Sequence, residues 1–257
     1  MAVEIVDNQL YSINIFDIKR GRFSSFSNSK HNYAPFWGAD GENIYYTSNR
    51  KDPTEFGLFI YDFDQQKEKE IVLDGETMGE ISVSDVSMDG KKLLCFGQQK
   101  GTGLGELYFV DISERRLHPL TKNRFHEWGG VFSSDEKWLA YTSEKDMEGS
   151  FAIYLNRFPE MNREIRISAG GGEEPKWLPD GSGVYYRNGS QWMKVSLKLD
   201  GEPEIGEPEL FFEGDYLNVW GPSHDIFPDG RILLLKGEEW VPPTEIDVII
   251  NALDVGP

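Results

Sequence analysis

Apolar residues along the chain fall into short runs that alternate with polar ones, and no stretch carries the three-to-four-residue period of an amphipathic helix. In "EWGGVFSSDEKWLAYTSE", residues 127–144, two such runs flank a polar centre, the pattern of two strands joined by a tight turn. The same pattern recurs around Asp40, Asp89, Asp135, Asp180 and Asp229, which stand 45 to 49 residues apart. So narrow a spread marks a structural repeat. Three residues before each Asp stand Trp37, Val86, Phe132, Trp177 and Ile226, and four after it Ile44, Leu93, Leu139, Val184 and Leu233. Gly follows the Asp in four of the five copies, which predicts that these acids are turn formers.

Beyond each of the first four hairpins lies a second strand pair: "GLFIYDFDQQKEKEIV", "GELYFVDISERRLHPL", "FAIYLNRFPEMNREIRIS" and "QWMKVSLKLDGEPEIGEPELFFEG". Four antiparallel strands per unit of about 45 residues predict the blade of a β-propeller, with both faces buried against neighbours. The fold class expected is therefore all-β, a propeller of four-stranded antiparallel blades forming one domain over residues 1–257. The ends leave six blades or five, with closure by the N-terminal strands. Either Arg22–Phe26 completes the last blade, or residues 10–27, with a short strand at Val3–Val6, form a thin sixth blade lacking an innermost strand.

Composition narrows the function classes. The 257 residues are 39% apolar and 13% aromatic, enough for a substantial core. A formal charge of -18 repels phosphate backbones and anionic lipid, so nucleic acid and membrane are not expected partners, whereas a protein, peptide, carbohydrate or divalent cation is. Cys95, alone of its type and set in an apolar run, reads as core. The N-terminus has no basic segment followed by an apolar one. The expected location is cytoplasmic, or periplasmic if an export signal has been removed.

The repeat apolar-x-x-Asp-Gly-x-x-apolar, followed by "YTSN" or "YTSE", resembles the TolB-type propeller repeat from about residue 10 to 253. "HEWGGVFSSDEKWLAYTSE", "GGGEEPKWLPDGSGVYYRNG", "ELFFEGDY", "DIFPDGRILLLKGEE" and "TEIDVIINAL" stand in the order seen in the C-terminal propellers of bacterial kinase- or winged-helix-linked regulatory proteins. That resemblance implies a structural repeat serving as a binding platform, here without a kinase or winged-helix segment.

Enzyme motifs are missing: there is no G-x-S-x-G elbow, H-E-x-x-H, paired C-x-x-C or Walker loop. In a propeller the segments leading into the innermost strands converge on one mouth. They carry His31, Tyr33, Glu80, His126, Trp128, Trp220 and His224, the candidate ligand-binding residues, and Glu127, Glu173 and Glu174, candidate acids. The function expected is non-catalytic binding or protein interaction at that mouth, with no cofactor required. The alternative is a glycan hydrolase or lyase, with Glu127 and either Glu173 or Glu174 as acids and His126 as base or ligand to a divalent cation.

Overall fold

The computed structural model describes residues 1–7, 10–26, 31–52, 54–73, 78–98, 103–122, 124–147, 149–219, 222–237 and 248–249. Among these residues all regular structure is strand, and no helix is long and apolar enough to cross a membrane. Contacts divide the chain into two compact units, Met1–Gly130 and Val131–Pro257.

In the first unit β1 (Ala2–Asp7), β2 (Leu10–Asp17) and β3 (Arg22–Ser25) form a three-stranded sheet. Two four-stranded sheets follow: β4 (Asn32–Trp37), β5 (Asn43–Asp52), β6 (Glu55–Asp62) and β7 (Lys67–Ile71), then β8 (Glu80–Val86), β9 (Lys92–Gln98), β10 (Gly105–Asp111) and β11 (Arg116–Pro119). Each is an antiparallel meander. The first strands of the three sheets, β1, β4 and β8, lie side by side. This corrects the expectation of an N-terminal sheet without an innermost strand. The short strand expected at Val3–Val6 is β1, but residues 2–7 carry no Asp-Gly turn after them, so the repeat pattern did not show that β1 takes the place that β4 takes in the next sheet.

The division between units falls within β12 (Glu127–Phe132), which opens a sheet completed by β13 (Trp138–Met147), β14 (Ser150–Arg157) and β15 (Ile165–Arg166). In the second unit β16 (Glu173–Trp177), β17 (Gly183–Asn188) and β18 (Gln191–Lys198) continue the pattern. The outer edge of β18 is shared by two short strands, β19 (Glu204–Ile205) and β20 (Glu209–Glu213), where one closing strand was expected. A last sheet holds β21 (His224–Ile226), β22 (Ile232–Leu234) and β23 (Val248–Ile249).

Alternation explains why both faces of these sheets are buried. Along β5, Ile44 and Tyr46 join Ile13 and Phe59 in one core, while Tyr45 between them joins Leu93, Cys95 and Tyr108 in another. Along β17, Val184 and Tyr186 pack with Trp138, and Tyr185 packs the other way with Trp192. Each such apolar side chain contributes roughly 1.5–3 kcal/mol by leaving water. The turns follow the sequence pattern equally closely. Asp89, Asp180 and Asp229 accept the backbone N–H two residues on at 3.0, 2.9 and 3.2 Å; these bonds, preceded in Asp180 by the Ser182 hydroxyl at 2.7 Å, hold their carboxyls below the usual range. The residue after each repeat Asp has positive φ: Gly41, Gly90, Glu136, Gly181 and Gly230.

Candidate functional site

Six residues before the repeat Asp, the first strand of a sheet departs from regular pairing. Ala34, Gly129 and Glu174 occupy this position with φ of 46°, 62° and 55°. Register shifts lie between Tyr33 and Phe36 and between Glu173 and Lys176. A bulge here adds one residue and re-aims the side chains before it, the usual reason for bulges beside binding sites. A non-glycine residue in the left-handed region costs about 1–2 kcal/mol, so Ala34 and Glu174 are held by their surroundings. The Ala34 N–H donates to Glu4 Oε2 at 3.0 Å.

In the first unit this geometry gathers aromatic and acidic side chains. His31, Tyr33 and Tyr11 are mutually in contact, with ring centroids 5.7 Å apart for Tyr11–His31, 4.8 Å for Tyr11–Tyr33 and 6.1 Å for His31–Tyr33. The Tyr11 N–H donates to His31 Nδ1 at 3.4 Å, and Tyr33 also meets Phe56 at 5.6 Å. Burial, with Tyr11, Glu4 and Glu80 nearby, raises the Tyr33 phenol above its ordinary value. Glu80, at the start of β8, is raised by burial and lowered in part by His126. The His126 ring accepts the Gly105 N–H at Nδ1, 3.3 Å, and packs edge-on against Phe96. Thus His31 and Tyr33 are in ring contact, and Glu80 lies within electrostatic reach of both Tyr33 and His126; all four side chains are half-buried. Trp128 is half-buried on β12, and Glu127 beside it is fully buried.

In the second unit the acids are drawn inward. Glu174 is 4% exposed, and its carboxylate takes three donors: the Ser223 N–H at 3.2 Å, the Ser223 hydroxyl, and His224 Nδ1 at 3.2 Å. Its own N–H donates to Thr142 Oγ1 at 3.2 Å. A carboxylate only accepts, so the proton of His224 sits on Nδ1. The arrangement is not a nucleophile–base relay, because the acid stands between the serine and the histidine. His224 was expected at an open mouth, but its side chain has no exposed surface and is enclosed by Tyr185 and Trp192. Burial lowers its pKa, against the opposing pull of Glu174. Glu173 remains half-buried and accepts from Asn218 Nδ2 at 2.8 Å. Burial and then the neighbouring Glu174 raise its pKa, partly offset by Arg187 and Asn218. Trp220 lies outside the described residues.

Arg187, Thr142 and Ser223 were not singled out from the sequence. Arg187 donates through Nη1 to the Leu217 carbonyl at 2.8 Å, through Nη2 to that of Tyr216 at 2.7 Å, and through Nε to that of Gly189 at 2.9 Å. With Glu173 and Glu174 it holds residues 216–218 and Ser223. A signal was present: a lone Arg ends the apolar run "GVYY", where a buried guanidinium needs several acceptors. Among the described residues no group of three or more His, Cys, Asp or Glu side chains is placed to hold a metal ion.

Antiparallel meanders repeated about every 45 residues are the build of a β-propeller, and solved structures show that this chain has that fold. The likeness is to TolB from Acinetobacter baumannii, with a TM-score of 0.70 and 18% identity over 93% of this chain and 58% of that one. Oligogalacturonate lyase from Vibrio parahaemolyticus follows with a TM-score of 0.63 and 13% identity over 91% of this chain and 66% of that one. In sequence, the Tol-Pal system protein TolB of Desulfosudis oleivorans is 26% identical over 105 residues, 41% of this chain. The chain matches only 22% of that relative's length. No family model matches. The fold is TolB-like.

Proposed function

We propose that the chain is a non-catalytic recognition module that holds a protein or peptide at the ends of its inner strands. The observation that carries this reading is the half-buried neighbourhood of Tyr11, His31, Tyr33, Glu80 and His126. Aromatic faces beside carboxylates offer apolar contact area and polar specificity without much side-chain entropy to lose. Two candidate acids are committed elsewhere: Glu127 is buried, and Glu174 is engaged by Ser223 and His224. The quoted repeat strings support the narrower reading that the propeller is of the kind linked to bacterial kinase or winged-helix regulators.

A glycan hydrolase or lyase is the second reading, favoured by Glu173. Its carboxyl is raised by burial and by Glu174, as a proton donor's would be.

The test is a peptide array probed with the protein and with a Tyr33→Ala/Glu80→Ala variant. Array binding that drops by about tenfold or more in a variant of unchanged melting midpoint supports recognition at this cluster. No loss of binding moves the recognition face elsewhere. Turnover of oligogalacturonate, abolished in Glu173→Gln, would establish the second reading instead.

A further inference from the structure

The pairing of β1 with β2 sets Glu4 opposite Ile13 and Val6 opposite Tyr11, so Glu4, Tyr11 and Ile13 share one face of the first sheet. Ile13 packs with Ile44, Tyr46 and Phe59, which turns that face toward the second sheet. There the Tyr11 ring meets Tyr33, with centroids 4.8 Å apart, and Glu4 Oε2 accepts the N–H of the next residue, Ala34, at 3.0 Å. Strand β4, which carries Tyr33 and Ala34, lies between β1 and β8. Glu80 opens β8, so one carboxylate flanks β4 from each neighbouring strand, and the Tyr33 phenol feels the charge of both.

Among the described residues no lysine or arginine acts on either carboxylate. The acids of β7 differ: Glu68 pairs with Arg50 and Glu70 with Lys51. Surrounding protein raises the carboxyls of Glu4 and Glu80 above their ordinary values, as expected of negative charge held without a strong counterion. Solvent still reaches Glu4, and Tyr11, Tyr33 and Glu80 each keep part of their surface in water. The aromatic faces add negative potential of their own, and the formal charge of -18 draws basic partners from a distance.

Building on the recognition reading above, we propose that this cluster seats a lysine or arginine side chain of the partner, its cationic head held by Glu4 and Glu80 and its alkyl stem laid against the rings of Tyr11 and Tyr33. A long basic side chain suits both parts of the surface, since its stem covers apolar area while its head stays with the charge. An acidic side chain would meet like charge, and a purely apolar one would desolvate both carboxylates without pairing them.

The test is an array of peptides containing lysine or arginine, each beside a counterpart with acetyl-lysine or citrulline, which keeps the length and removes the charge. Neutralisation is expected to weaken binding by about tenfold or more, and added salt to weaken the charged forms alone. In Glu4→Gln/Glu80→Gln, which removes charge and keeps shape, the charged and neutral forms of each peptide should bind within about twofold of each other. If that variant loses its melting midpoint, Glu4→Gln and Glu80→Gln are read singly. Binding that needs Tyr33 and Glu80 yet ignores neutralisation overturns the cationic ligand and leaves the recognition reading standing. Charge-dependent binding that persists in both Glu4→Gln/Glu80→Gln and Tyr33→Ala/Glu80→Ala overturns both, as does an array with no peptide bound.

Discussion

Glu174 and His224 stand 50 residues apart in sequence and meet in the protein interior, with Nδ1 3.2 Å from Oε2. The contact ties the first strand of one sheet to the first strand of the next, and three donors converge on a single carboxylate. Such a carboxylate is a structural anchor, even though its place in the repeat suggested chemistry.

Removing the anchor leaves the Ser223 N–H, the Ser223 hydroxyl and the His224 N–H without an acceptor. Hydrogen bonds to charged groups contribute about 1.5–3 kcal/mol each and are not additive, so Glu174→Ala is expected to cost about 3 kcal/mol and Glu174→Gln distinctly less. Urea unfolding monitored by tryptophan fluorescence measures both.

Burial lowers the pKa of His224 below its ordinary 6.5. The unfolded chain then takes up the proton first as pH falls, so it binds more protons than the folded protein below pH 6.5. Stability contributed by neutral His224 is therefore present above that pH and lost on acidification, with a slope of at most about 1.4 kcal/mol per pH unit. Melting midpoints between pH 8 and 5 read the slope, which flattens in His224→Gln. Glu174, Lys176 and Asp225 face the imidazole electrostatically, and Asp225→Asn serves as the control for a merely Coulombic effect.

Glu136 is the one repeat turn residue in the left-handed region that is not glycine, with φ of 55°. Glu136→Gly is expected to stabilise the protein by up to about 1 kcal/mol, and Gly181→Ala, at φ of 72°, to destabilise it by about that amount or more. Thermal unfolding of the two variants should move in opposite directions.

Arg187 reaches the carbonyls of Tyr216 and Leu217 with two nitrogens of one planar group, which a lysine ammonium cannot reproduce. In Arg187→Lys the Leu217 amide, bonded to the Leu235 carbonyl at 2.8 Å, should exchange with solvent about tenfold faster. Amides at the centre of β14 should be unaffected, which separates a local loosening from global loss.

The candidate site was legible in part. Segments leading into the first strands carry His31, Tyr33, Glu80 and His126, and the first unit does gather them. Their meeting follows from β4 and β8 lying side by side, which the repeat implied. The fate of the second unit's residues was hidden. "GGGEEPKW" contains two adjacent glutamates that look equivalent, and strand alternation alone sends them to opposite faces without saying which face is dry.

The sequence by itself determined what is local: strands from two-residue alternation, turns from Asp and Gly at fixed offsets, and the repeat from their even spacing. Those choices depend on a residue and its near neighbours, so they survive without knowledge of the fold. Only the tertiary structure decided that Glu174 turns inward to His224 while Glu173 stays half-exposed, that β1 opens a sheet of its own, and that one edge of β18 serves two short strands. Each depends on a bulge or a packing partner tens of residues away, where the free energy of burying one donor or acceptor outweighs any local preference.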